Sequence, residues 1–349
     1  MKMGKPLFVL LCTVLLAVLV ALASAQAEEE EYEYKFCGDT LIIKSKTNLL
    51  DNGYLSWGGM IGGLQRVQVS NPFPDDRIYV TVSGTATNHC LFFEGNIDIT
   101  LDNLSMEVNG GQMPSIYLRN NFNGTLLLRG SNRIVNNNEA PALGMWHGSH
   151  ASIKNLVESE PASLLAKGGP FQAGINVGRE SDGSNPAILN IKSGTVTAIA
   201  GPRGEGGTGG AGIGGADQES GGVINIHGGV VTAIGVKGAG IGGGNRSANG
   251  GEITITGGTV IAYSDIEGAG IGGGDDDSDG GQITITGGFV TAISGRLAAG
   301  IGGGNNGTSG KITITGGTVI AAGGGGGAGI GGGHHDNNDG GNVDEILIT

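Results

Sequence analysis

EITITGGTVIAYSDIEGAGIGGGDDDSDGG, residues 252–281, is followed by QITITGGFVTAISGRLAAGIGGGNNGTSG at 282–310 and KITITGGTVIAAGGGGGAGIGGGHHDNNDGG at 311–341. These are three copies of one unit. The Ile of the AGIGG element recurs at 213, 241, 271, 301 and 330, spacings of 28, 30, 30 and 29 residues. A fixed period of that length marks a repeat architecture in which each unit buries its apolar face against its neighbours. Degenerate copies reach upstream through AGINVG with Ile175, PALGMW with Leu143 and SIYLRN with Ile116. Clean copies start near residue 187.

Inside a unit, Ile253 and Ile255 alternate with Thr254 and Thr256, the period-two pattern of a strand with one apolar face. A Gly pair then turns the chain. Thr259 to Ala262 reads as a second short strand with Val260 inward, and Ala269 to Gly273 as a third with Ile271 inward. Three short strands per coil of about 30 residues, with no helical period between them, predict a right-handed parallel β-helix, an all-β solenoid whose coils stack about 4.8 Å apart. A propeller is the rival architecture, but its longer blades carry aromatic signatures that are missing here.

Composition supports this reading. The chain has 349 residues, with 73 Gly and 9 Pro, and 58 of the Gly follow Lys167. Gly occurs in pairs and triplets rather than at every third position, which excludes collagen. Ile and Val recur at fixed intervals through the same stretch, which excludes a disordered linker. Small and branched inward residues fill a narrow interior without rings.

At the N-terminus, Lys2 and Lys5 precede an apolar run from Leu7 to Ala23 and the small-x-small sequence Ala23-Ser24-Ala25. This is the form of a signal peptide over residues 1–25, and it predicts a secreted chain starting near Gln26 with no membrane span after cleavage. That chain carries a net charge of −15, which disfavours nucleic acid and anionic membranes as partners. Cys37 and Cys90 remain as an even pair in an oxidising compartment, so a disulfide is expected between them. Asn103, Asn123, Asn245 and Asn306 head Asn-x-Ser/Thr sequons, glycan acceptors in a host that glycosylates secreted chains. Residues 26–95 depart from the repeat and are expected to form an irregular β cap, with the helix proper over 96–349. The final coil, ending at Ile346 to Thr349, reads as uncovered: either Asp344 and Glu345 discourage stacking, or the end joins a partner by end-to-end or self association, or the sequence is a fragment.

ITLDNLSMEV (99–108), TLLLRGSNRIV (125–135), PALGMW and the repeated GAGIGGG with ITITGGTV resemble the Gly-rich repeat regions of secreted and cell-surface β-helix proteins described as carbohydrate-binding or adhesin-like. The resemblance runs from about residue 97 to the end. It implies extracellular attachment or glycan contact, and it brings no catalytic residue.

Fold-level likeness cannot deliver function, which rests on individual constellations of residues. Trp146 and His147, with Tyr117 on the corresponding element of the adjacent coil, form the first candidate sugar-contact patch, and Trp57 the second. The competing reading is that these rings plug the wider early coils. Thr254, Thr256, Thr284, Thr286, Thr313 and Thr315 predict two outward Thr columns, an array similar to ice-binding solenoid faces; Thr is also favoured on any exposed strand. The cluster Asp275, Asp276, Asp277 and Asp279 has hard-cation ligands, but its counterparts are Asn245-Arg246, Asn305-Asn306 and His334-His335-Asp336, so it reads as a hydrated corner. No cofactor is expected. The expectation is a non-enzymatic extracellular adhesive or structural module contacting a glycan or surface; the alternatives are an ice-binding solenoid and a polysaccharide-active lyase or hydrolase.

Overall fold

The computed structural model describes residues 31–35, 40–50, 53–61, 64–73, 75–178, 185–203, 208–246, 248–335 and 341–349. The expected leader and Cys37 lie outside these residues. Every regular element among the described residues is a β-strand, and none of them is a helix long and apolar enough to cross a membrane.

The repeat winds into a parallel β-helix with three strand columns. In the first column, Val223–Ile226, Glu252–Ile255, Gln282–Ile285, Lys311–Ile314 and Glu345–Ile348 pair in parallel, each with the next coil. Val230–Gly235, Thr259–Ser264, Phe289–Ile293 and Thr318–Ala322 form the second column. The third is reduced to two-residue strands, Ile241–Gly242, Ile271–Gly272, Ile301–Gly302 and Ile330–Gly331. The expected third strand, Ala269 to Gly273, is trimmed because its Gly leaves extended geometry: Gly272 has φ +132°, a region L side chains rarely enter.

The alternation of the sequence becomes the core directly. Ile224, Ile253, Ile283 and Ile312 are register partners and all fully buried, and the same holds for Val231, Val260 and Val290 in the second column. Each such side chain contributes about 1.5–3 kcal/mol of burial free energy. The early coils use rings and long side chains as well: Phe93, Phe122, Leu101 and Met106 are buried in the same continuous core.

Among the described residues, antiparallel pairing is confined to the opening. Tyr32–Lys35 pairs with Ile42–Ser45, which pairs with Ile78–Thr87, and Leu55–Ile61 pairs with Leu64–Asn71. Parallel stacking then reaches back into the segment expected as a cap, since Leu64–Asn71 pairs in parallel with His89–Gly95 and Ile78–Thr87 with Ile97–Val108. In the last coil, Val319, Ala321, Ile330 and Ile346 are only partly buried, unlike their register partners below.

Candidate functional site

The third column sets the site. Tyr117, Gly144, Asn176 and Gly214 are successive register partners, so the position held by Gly in the regular coils carries a phenol and an amide in the early ones. Gly144, between them, has no side chain, and the Pro114 ring takes that place: an added Cβ would lie 2.7 Å from Pro114 Cγ. Beside it is a surface cavity of about 350 Å³ whose lining includes Tyr117, Trp146, His147, Glu139, Asn176 and Glu219, together with Gln112 and Gln172.

The aromatic wall is built in layers. Trp146 follows the short strand Leu143–Met145, and its backbone N–H donates to Leu118 O at 2.8 Å, which places the indole beside Tyr117 of the preceding coil. The two rings meet edge to face with centroids 5.9 Å apart. Tyr117 leans on Phe92 at 5.7 Å, and Phe92 is buried with Leu64, Cys90 and Val108 in a small satellite core. Trp146 itself is 45% exposed, while its Nε1–H donates to His147 Nε2 at 2.8 Å. The indole therefore has its polar handle satisfied and much of its ring open to a ligand.

The polar groups are anchored as well. Gln112 Nε2–H donates to Glu139 Oε2 at 2.7 Å. Glu219 Oε2 accepts from Asn176 Nδ2–H at 2.7 Å and from the Ala216 backbone N–H at 3.2 Å. Burial, reinforced by the Glu219 carboxylate and opposed by Arg119, pushes the Tyr117 phenol up to about 12, so its hydroxyl remains a donor at neutral pH. Locked hydrogen-bonding groups around an exposed ring suit recognition of a polyhydroxylated ligand.

Trp146, His147 and Tyr117 are thus brought together, as the sequence reading expected. Gln112, Glu139, Gln172, Asn176 and Glu219 were missed. Aligning AGINVG on PALGMW and SIYLRN would have flagged Asn176; the others lie in corners with no repeat signal. The Trp57 backbone lies in Leu55–Ile61, opposite Val67, and its side chain lies outside the described structure.

Elsewhere, Thr254, Thr284 and Thr313 are register partners on the outward face of the first column, flanked by Asn225 below and Leu347 above. Thr256, Thr286 and Thr315 follow the ends of the same strands, and His227 Nδ1 lies 3.0 Å from Thr256 Oγ1. The Asp corner is tied into the scaffold. Lys237 Nζ donates to Asp275 Oδ2 at 2.5 Å and to Glu267 Oε2 at 3.1 Å. Asp279 Oδ1 accepts the Thr308 N–H at 2.8 Å, and the Asp277 N–H donates to Asn305 O at 3.0 Å. Among the described residues no group of three or more His, Cys, Asp or Glu is placed to hold a metal; Asp336 lies outside them.

One expectation changes and one falls outside the described residues. Cys37, the expected disulfide partner, is not among them; Cys90 is buried beside Leu64, Phe92 and Val108 and makes no disulfide with a described residue. Asn245 is 3% exposed, so this sequon is closed to a glycan in the folded chain, whereas Asn103 and Asn123 are exposed and Asn306 is half-buried.

A family model described as Beta helix repeat matches four stretches of the chain, residues 224–245, 253–275, 283–305 and 312–334. Each match starts in a first-column strand and runs past the third, so the matched unit is one coil of the structure. The fold and the matches together define a parallel β-helix repeat protein. No curated protein and no solved structure matches the chain.

Proposed function

We propose that this chain is a secreted, non-enzymatic attachment module that contacts glycans through the Trp146 cavity. The observation that carries this reading is the half-exposed indole of Trp146 beside carboxylate and amide groups whose own hydrogen bonds hold them in place. Sugars stack an apolar face on such rings while their hydroxyls meet the polar rim. The rigid column behind the site reduces the ordering cost of binding.

A glycan array probed with the full chain is expected to give specific retention, and Trp146→Ala is expected to weaken it by tenfold or more, about the effect of removing an aromatic anchor from an interface. Retention unchanged by Trp146→Ala sinks the reading. Turnover of a retained polymer supports the polysaccharide-active alternative instead.

The in-register Thr ladder favours a second reading, ice binding. On that reading the chain produces freezing hysteresis, and Thr284→Lys, at the centre of the ladder, abolishes it. No hysteresis in the unaltered chain removes this alternative.

A further inference from the structure

We infer that the Trp146 cavity selects an amino sugar bearing a free ammonium over neutral and acidic sugars, an inference that rests on the glycan reading above. Three observations converge. The cavity holds two carboxylates, Glu139 and Glu219, and none of its described lining residues is Lys or Arg. Each carboxylate has one oxygen committed to an internal donor, Oε2 in both cases, and among the described residues no donor is placed on Oε1, the oxygen a ligand would meet. The remaining wall is the edge-to-face pair of Tyr117 and Trp146.

The neighbouring cation does not alter this balance. Arg119 sits over the Phe92 ring, 4.8 Å from its centroid, and its Nε–H donates to Glu94 Oε1 at 2.6 Å, so its charge is already met outside the cavity. His147 Nε2 accepts the Trp146 Nε1–H at 2.8 Å, so this ring nitrogen offers a ligand no donor. The cavity therefore presents negative charge and aromatic faces to a ligand. Both favour an ammonium, the carboxylates by charge-assisted hydrogen bonds and the rings by cation–π attraction. A uronic or sialic acid carboxylate would meet like charge from both Glu139 and Glu219.

The test is calorimetric titration of the full chain with three oligosaccharides: a β-1,4-glucosamine tetramer, its fully N-acetylated counterpart and a galacturonate tetramer. The glucosamine tetramer is expected to bind about tenfold more tightly than the acetylated one, the scale of one added charge-assisted contact. The galacturonate tetramer is expected to show no binding. Glu139→Gln and Glu219→Gln should each bring the ratio between the first two closer to one; Glu139 is the cleaner probe because Glu219 also holds Asn176 and Ala216. Sugar binding with equal or reversed preference overturns the ammonium inference and leaves the glycan reading intact. No binding by any of the three overturns the ammonium inference, and the glycan reading is then decided by the array with Trp146→Ala. Choline chloride binding as tightly as the glucosamine tetramer also overturns the inference, because a bare ammonium would then suffice.

Discussion

Gly272→Ala is expected to destabilise the solenoid by about 4 kcal/mol, read as a fall in the urea midpoint with an unchanged fold at low denaturant. Two costs add. The backbone at φ +132° is strained for any L side chain, and the new Cβ would lie 2.0 Å from Gly302 O. That carbonyl cannot retreat freely, because it accepts the Gly273 N–H at 2.9 Å. Relief of the clash therefore breaks an inter-coil hydrogen bond in a column only two residues wide. In a nearest-neighbour stack the damage stays local. Hydrogen exchange should accelerate around residues 241–302 well before the coils at 99–136 respond. A loss below about 1 kcal/mol would show that the third column does not have this geometry.

Lys237→Met is expected to cost on the order of 3 kcal/mol, because it leaves the buried Asp275 carboxylate without its cation. Asp275 is 3% exposed and also receives the Asp276 backbone N–H at 2.8 Å, while the backbones of the two residues join through the Asp275 N–H to Lys237 O bond at 2.8 Å. Adding Asp275→Asn should recover much of the loss, since the amide oxygen keeps the Asp276 contact and the unpaired charge is gone. A double variant no better than Lys237→Met alone would assign the cost to lost packing of the Lys stem.

The pH dependence has a definite sign. Burial pulls the Lys237 ammonium down, but its bonds to Asp275 and Glu267 outweigh this and hold it above the ordinary 10.5. Its contribution is complete below 10.5 and is lost as the pH climbs through the raised folded value. Burial lifts the Asp275 carboxyl above 3.8 against the pull of Lys237. A raised carboxyl favours the folded chain in acid, so Asp275 does not drive acid unfolding. The unaltered chain should therefore show a steeper alkaline loss of stability than the double variant, measured by denaturant melts from neutral pH to above 10.5.

The wound column was legible because its signal repeats. Ile253, Ile283 and Ile312 occupy equivalent places in near-identical units, and a register error in one coil would expose its apolar face and that of the coil above. The cavity was only half legible. Trp146 and Tyr117 stand out as rings in a chain with 2 Trp and 6 Tyr. Glu139 and Glu219 stand among 32 acidic residues and belong to different coils, so nothing in their local sequence separates them from solvated corners. The same holds for Asp275: four acidic residues close together read as a hydrated corner, and the inter-coil contact with Lys237 makes the first of them a structural ion pair.

Periodicity alone determined that this chain is a solenoid with three strand columns and a buried apolar core, because parallel stacking makes every coil repeat the constraints of the last. What the tertiary structure decided is which side chains from unlike coils share a surface. Tyr117, Gly144 and Asn176 became neighbours through backbone register, and the corner residues Glu139 and Glu219 closed around them at a spacing no one-dimensional pattern encodes. Binding chemistry needs such convergence only once along the rod, so it leaves no repeat in the sequence.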